Sequence, residues 1–281
     1  MFYSGFAQKC LRILLPISGA VVAIHALHSL TLDRIIQYVE VPFHSPRVPP
    51  ALDGYRVAFI TDTHGISDRR AKGVASRLNN SGIDLLLLGG DFHHDSERAG
   101  RTVEILSGIQ AADGIFGVEG NHDTRADLFA AMSAHGITPL FNSGVHVRDN
   151  FFLAGTADIK TALPVASVAE ATENAAEGDF VLLLTHNADI TMRQPTTGID
   201  LILSGHTHGG HVRFFGLWAP ALTLSRAVTH YGQRFMSCWA KSRDGVPVYV
   251  SHGVGGYFPR VFARPQVIIL TLLHQGSGYS P

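Results

Sequence analysis

Thiols are nearly absent from this chain: Cys10 and Cys238 are its two cysteines in 281 residues. Cys10 lies in an N-terminal apolar segment, so no structural disulfide is expected, and a cysteine-based metal site is excluded. Net charge is nearly absent too. Lys and Arg number 22 against 23 Asp and Glu, a formal balance of -1. That gives no global basic surface, and no nucleic-acid partner is expected. Charged residues are sparse at 16%, whereas 46% are hydrophobic. Such a chain buries a sizeable core and is not of the disordered class. Internal repeats and low-complexity tracts are also missing. The length suits one large domain or two small ones.

Residues 13–32 contain no Asp, Glu, Lys or Arg, a run about as long as a bilayer crossing requires. Lys9 and Arg12 precede it, while Pro16, His25 and His28 interrupt it. An uncleaved membrane anchor is the leading reading; a cleaved signal peptide and an interfacial or core helix are the others. No small-residue cleavage site follows the apolar part, which disfavours the signal peptide, and there is no twin-arginine pair. The preceding cations would keep the N-terminus inside, but Asp33-Arg34 beyond the run makes that bias slight. Residues 41–52 then carry Pro42, Pro46, Pro49 and Pro50, which read as an extended linker or an edge strand.

From Arg56 onward, strands and helices alternate. Strand patterns at 57–60, 85–88 and 114–118 are separated by helical patterns at 69–78 and 98–109, with another helix at 125–135. Short connections make this an α/β domain. The second half is β-rich, with strands expected at 145–147, 151–154, 181–184, 201–203, 248–250 and 267–272 and a helix at 165–176. A second, more antiparallel sheet packed on the first is expected.

What is abundant is histidine, 16 residues in all, and its placement is informative. The run Leu85-Leu86-Leu87-Leu88 reads as a strand buried on both faces. It ends at Gly89-Gly90-Asp91; a carboxylate at the mouth of an apolar strand is costly unless a cation offsets it, and taken alone it reads equally as a cap of the helix that begins near Ser96. Four further strands end in the same way: in Asp62-Thr63-His64, in Gly120-Asn121-His122-Asp123, in His186, and in Gly205-His206-Thr207-His208. In α/β sheets ligands gather at the carboxyl ends of strands. Oxygen and imidazole donors without thiolate suit manganese, iron or zinc better than calcium or copper(I). Seven donors exceed one tetrahedral site and fit two metals about 3.5–4 Å apart that share a carboxylate.

In this order the five blocks resemble the calcineurin-like metallophosphoesterase family over residues 56–272. Gly205-His206-Thr207-His208-Gly209-Gly210 and Val250-Ser251-His252-Gly253-Val254-Gly255 are most similar to its bacterial membrane-associated branch of small phosphodiesterases. Some relatives in that branch cleave UDP-diacylglucosamine. The resemblance implies a four-layer αββα sandwich of two mixed sheets flanked by helices. It divides the chain into an anchor or signal-like segment (1–40), a Pro-rich linker (41–55), the metallophosphoesterase domain (56–274) and a tail (275–281). It assigns Asp62, His64, Asp91 and His208 to one divalent metal ion (Mn, Fe or Zn). It gives Asn121, His186, His206 and the shared Asp91 to a second. His122 matches the general acid. The implied reaction is hydrolysis of a phosphodiester or pyrophosphate by in-line attack of a metal-activated water.

The sequence departs from the family pattern in two places. In many relatives the Gly-Asp pair, here Gly90-Asp91, is followed after two further residues by an Asp that supports the general acid. Here His94 takes that place and Asp95 follows, so either Asp95 or Asp123 is left to orient His122. His211 stands where relatives often carry Gln, and is a candidate substrate contact. Arg125, Arg260 and Arg264 are candidate phosphate clamps. The apolar stretch 214–222 suggests a lipid-facing lip, with buried β-structure as the alternative. Together these features point to a membrane-associated enzyme, at the inner membrane of a bacterium, acting on a lipid-linked phosphoester. Hydrolysis of a soluble or protein phosphoester is the alternative. A non-catalytic scaffold, as in the retromer subunit of this fold, is disfavoured because all seven ligand positions and His122 are present.

Overall fold

The computed structural model describes residues 3–160 and 165–276, with side chains from residue 12 onward except residue 13; residues 277–281 of the expected tail lie outside it. Helix α1 (Tyr3–Leu30) contains the whole charge-free run up to Leu30 and tolerates Pro16 inside it. Its apolar side chains Leu14, Leu15, Ile17, Val22, Ile24, Leu27 and Leu30 face outward rather than into the core. Strand β1 (Gln37–Ser45) follows. The proline-rich stretch is thus an edge strand up to Ser45 rather than a linker, in parallel register with the last strand, β12 (Gln266–His274). Pro42 is tolerated there because β1 has a neighbour on only one side.

The first half proceeds as β2 (Arg56–Ile60), α2 (Asp68–Leu78), β3 (Leu85–Leu88), α3 (Ser96–Leu106), β4 (Ile115–Gly117), α4 (Arg125–Ala134) and β5 (Thr138–Pro139). The second half contains β6 (Ser143–Arg148), β7 (Phe151–Gly155), α5 (Val168–Ala171), β8 (Phe180–Leu184), α6 (Ile190–Arg193) and β9 (Leu201–Ser204). It ends with α7 (Pro220–Leu224), β10 (Cys238–Lys241), β11 (Pro247–Val250) and β12. One sheet has the order β1-β12-β2-β3-β4-β5 and the other β10-β11-β9-β8-β7-β6. Both are mixed, and helices flank them.

The leucine run shows why the layers stack. Alternate side chains of a strand face opposite sides. Leu85 and Leu87 enter the core between the sheets with Phe151, Leu182 and Leu201. Leu86 and Leu88 meet Val74, Leu78, Val103 and Met132 of the helical layer. Each is wholly buried, a gain of about 1.5–3 kcal/mol per side chain.

Three expectations are corrected. The second sheet is not mainly antiparallel: β7, β8, β9 and β11 run parallel, and only β6 and β10 run against their neighbours. The connections from β7 to β8 and from β8 to β9 are long enough for crossovers. Strand β12 belongs to the first sheet, where it lies antiparallel to β2. The helix expected over 165–176 shrinks to one turn, because Thr172 bonds back to the Val168 carbonyl and Asp179 accepts from the Ala176 amide.

Candidate metal centre

The ends of β2, β3, β4, β8 and β9 meet at one edge of the sandwich. The chain leaves β2 through Asp62 (φ 53) and His64 (φ 42), β3 through Asp91 (φ 56), and β9 through His206 (φ 70) and His208 (φ 51). Left-handed backbone at five non-glycine residues is costly and gathers at functional sites. The loops hold one another: the Asp62 amide donates to the Gly90 carbonyl (2.9 Å) and the His64 amide to the Asp91 carbonyl (3.0 Å). Gly90 (φ 86) can be only glycine, since a Cβ there would collide with the backbone of Glu119 and Gly120.

The donor atoms fall into two groups. In one, Asp62, His64, Asp91 and His208 each offer an atom within 4.8 Å of the others; in the second, Asp91, His186 and His206 do so. His64 Nε2 lies 3.0 Å from His208 Nε2 and 3.5 Å from Asp91 Oδ2. His208 Nε2 is 3.4 Å from Asp62 Oδ1. His186 Nε2 lies 3.2 Å from Asp91 Oδ2 and 3.2 Å from His206 Nδ1. Asp91 is thus common to both groups. Asn121 lines the same cavity, and its buried Oδ1 has no hydrogen-bond partner. An orphaned buried acceptor beside two clusters of lone pairs fits a site built for cations.

The far sides of the ligands are braced. His186 Nδ1 donates to the Gly89 carbonyl (2.8 Å) and His206 Nε2 to the Val228 carbonyl (2.9 Å), which leaves His186 Nε2 and His206 Nδ1 as lone pairs toward Asp91. Thr61 Oγ1 donates to Asp62 Oδ2 (2.8 Å) and the His122 amide to Asp91 Oδ1 (2.9 Å).

Electrostatics agree with this donor set. Burial pushes the imidazoles down, His64 and His211 to about 4 and His206 to about 3, so each is a neutral donor near pH 7. Burial lowers His208 as well. Asp62 is pushed up to about 6 by burial. For Asp91 burial acts upward, but the neighbouring His186 and His64 outweigh it and hold the carboxyl well below the ordinary range. His186 is opposite: burial acts downward, and Asp91, Asp62 and Asp158 raise it well above an ordinary imidazole.

His122 lines the cavity beside the two groups and outside both. Neither candidate carboxylate orients its ring. Asp95 caps α3 by accepting from the Arg98 amide (2.9 Å). Asp123 accepts from the amides of Asp91 (2.7 Å), Phe92 (2.7 Å) and Gly120 (2.9 Å), and so clamps the bridging loop. The partner of His122 is His94, at 3.2 Å between the two Nδ1 atoms, and His94 Nε2 is 3.2 Å from the Tyr257 hydroxyl. His94 is visible in the sequence only as a departure from a pattern, and Tyr257 carries no sequence signal. Neither does Lys160, whose Nζ lies 2.9 Å from His206 Nε2 and donates to the Ala227 carbonyl (2.6 Å).

Two of the three candidate arginines are otherwise engaged. Arg125 forms a two-pronged pair with Glu119, both contacts 2.7 Å, and stacks on Phe141. Arg260 is buried and donates to the carbonyls of Ala263 and His252. Arg264 is half-buried and does not line the cavity. His211 does line it, with its ring 4.6 Å from that of His208. The apolar stretch 214–222 is largely exposed, Phe214 by 51% and Leu217 by 81%, and is not buried β-structure.

The sequence profile of the calcineurin-like phosphoesterases matches residues 55–210. A Bacillus subtilis (strain 168) protein named uncharacterized metallophosphoesterase YkuE is 25% identical over 264 residues, 85% of this chain and 86% of its own length. Phosphodiesterase YaeI of Escherichia coli (strain K12) is 27% identical over 247 residues, 78% and 82% of the two chains. A Danio rerio protein, named transmembrane protein with metallophosphoesterase domain, is 27% identical over 292 residues, 95% of this chain and 63% of its own. The strand-end loops, the paired donor groups and the matched stretch agree with one another: the chain belongs to the calcineurin-like phosphoesterase family and is a metal-dependent phosphoester hydrolase.

Proposed function

We propose that the protein is a membrane-anchored phosphodiesterase or pyrophosphatase, set in the inner membrane of a bacterium and acting on a lipid-linked phosphoester. The observation that carries this reading is the join between α1 and the metal-site loops. His25 of α1 packs against Phe214, Phe215 and Phe262, with ring centroids 4.7–5.3 Å apart, and accepts from the Phe215 amide (3.3 Å). The helix is long and apolar enough to cross a membrane, with only 6% of its apolar window buried. The exposed aromatic lip therefore sits where α1 leaves the domain. The metal cavity, about 360 Å³, has Ala221, Leu222 and Val228 along one wall. An apolar wall beside a polar centre suits a substrate with a phosphoryl group and a lipid arm.

Asp62, His64 and His208 would hold one cation, and Asn121, His186 and His206 the other, with Asp91 between them. Two bound divalent ions would activate a water and neutralise charge on the phosphoryl oxygens. His122 would act as an imidazolium, its Nδ1–H donating to His94 Nδ1 (3.2 Å) and its Nε2 proton passing to the departing oxygen, which leaves a neutral imidazole. His94 and Tyr257 hold the ring for that transfer. Asp123 keeps the Asp91 loop in shape.

The test is a metal-dependent activity screen on the full chain in detergent micelles. The substrates are bis-(p-nitrophenyl) phosphate, the corresponding monoester and UDP-diacylglucosamine as a lipid-linked pyrophosphate. Metal-dependent turnover of the diester and a higher kcat/KM on the lipid-linked compound are expected. Turnover confined to soluble esters would reject the lipid reading and leave the hydrolase.

A further inference from the structure

A second cavity, of about 280 Å³, lies at the foot of α1 between the start of α2 and the loop after β11. Tyr257 is the one lining residue it shares with the cavity around the candidate metal ligands, and its Arg260 reaches His208 Nδ1 from behind (3.1 Å). Its polar lining is cationic: Arg34, Arg70 and Arg260 contribute, against the single acid Asp33. Asp33 is already engaged by its partners, accepting from His28 (2.7 Å) and from the amides of Phe262 (2.9 Å) and Ala263 (3.0 Å).

Arg34 and Arg70 have no carboxylate partner among the described residues. Arg34 lies over the Phe258 ring, 4.8 Å from its centroid, and Arg70 reaches only the Arg34 carbonyl at 3.4 Å. Ser29 also lines the cavity. It is 5% exposed, and its Oγ is buried without any hydrogen-bond partner. A buried hydroxyl left unsatisfied is costly unless a ligand or water meets it. Two guanidinium groups without a carboxylate partner line the same cavity and supply the charge and forked donors that phosphate oxygens take. The rim carries Tyr257 and Phe258, each 63% exposed. Aromatic rings and arginines together at the end of a bilayer-length helix mark the headgroup level of a membrane.

We infer that this cavity is a phosphate-binding site, distinct from the metal centre, in which Ser29, Arg34 and Arg70 take the phosphate of an anionic phospholipid headgroup. The lipid arm of this inference rests on the membrane reading of α1, whereas phosphate binding as such does not. The bound headgroup would fix the depth and orientation of the domain, and with them the height of the metal cavity above the bilayer.

The test uses the full-length, metal-loaded chain and the double variant R34Q/R70Q. Native mass spectrometry from micelles doped with phosphatidylglycerol or phosphatidylcholine reads lipid retention, and equilibrium dialysis reads inorganic phosphate. Each arginine near an anionic surface is worth about 5-fold in affinity. The parent should therefore retain phosphatidylglycerol over phosphatidylcholine, and the double variant should lose about 30-fold. One more phosphate bound by the parent than by the variant, without lipid preference, would assign the site to a soluble phosphate. Equal retention of lipid and of phosphate by parent and variant overturns the inference. Metal content and hydrolysis of bis-(p-nitrophenyl) phosphate are read on both proteins and should match. Loss of either in the parent itself would undo the hydrolase reading without touching the binding comparison.

Discussion

Replacing His122 with alanine separates proton donation from metal binding. The residue touches the centre in two ways: its backbone amide donates to Asp91 Oδ1 (2.9 Å), and its ring packs edge-on against His94 and His64, centroids 4.4 and 5.4 Å away. Alanine keeps the first contact and removes the second. Both metals should therefore remain. The lost proton donor should cost about 10²–10⁴ in rate on an unactivated alkyl ester, equivalent to about 2.7–5.5 kcal/mol in the barrier. A p-nitrophenolate group leaves without a proton, so the loss on that ester should be much smaller. The assay is a pair of kcat/KM measurements, on an alkyl and a nitrophenyl diester, together with metal analysis of each preparation. Equal losses on the two esters, or a missing metal, would refute the general-acid role and make His122 a packing residue beside Asn121.

His94→Phe removes the ring nitrogen that faces His122 and should lower kcat on the alkyl ester with little change in KM; an altered KM at constant kcat would instead make His94 a substrate contact. Arg125→Ala leaves the fully buried Glu119 without its two-pronged partner, and should destabilise the fold by about 3 kcal/mol in urea titration. Its KM should hold if Arg125 is not a phosphate clamp, so a raised KM with unchanged stability would restore that role. Leu87→Ala opens a hole between the sheets and should cost about 2–5 kcal/mol, measured the same way; a loss under 1 kcal/mol would show that the sandwich collapses around it. The full chain should stay with membranes through high-salt and carbonate washes, and release by a low-salt wash alone would reject α1 as an anchor.

The candidate donors are legible in the sequence because each is local to a strand end. Each apolar strand and the polar residue after it are contiguous, so Asp62, Asp91, Asn121, His186 and His206 could be read off without knowing how the strands pair. What was not legible depends on distant segments. Tyr257 reaches His94 across 163 residues and Arg125 bonds the buried Glu119 instead of facing the cavity, and neither follows from periodicity. Strand direction in the second sheet was misread because short apolar strands look alike whichever way they run; the crossovers at 156–179 and 185–200 decide it. The prolines over 41–52 read equally as an edge strand or a linker, because the donor Pro42 lacks matters only in a strand paired on both sides. The cavity at the foot of α1 needs Ser29, Arg34 and Arg70 in one place, and only the folded chain brings Arg70 to the other two.

In the proposed centre one carboxylate, Asp91, serves two cation sites. Metal analysis of the purified protein with Asp91→Asn beside the parent tests it most directly. The parent should carry two divalent ions per chain. The variant has lost the charge common to both donor groups, so it should carry less than one and lose diester hydrolysis. Two tightly bound ions and near-normal turnover in the variant would contradict the account.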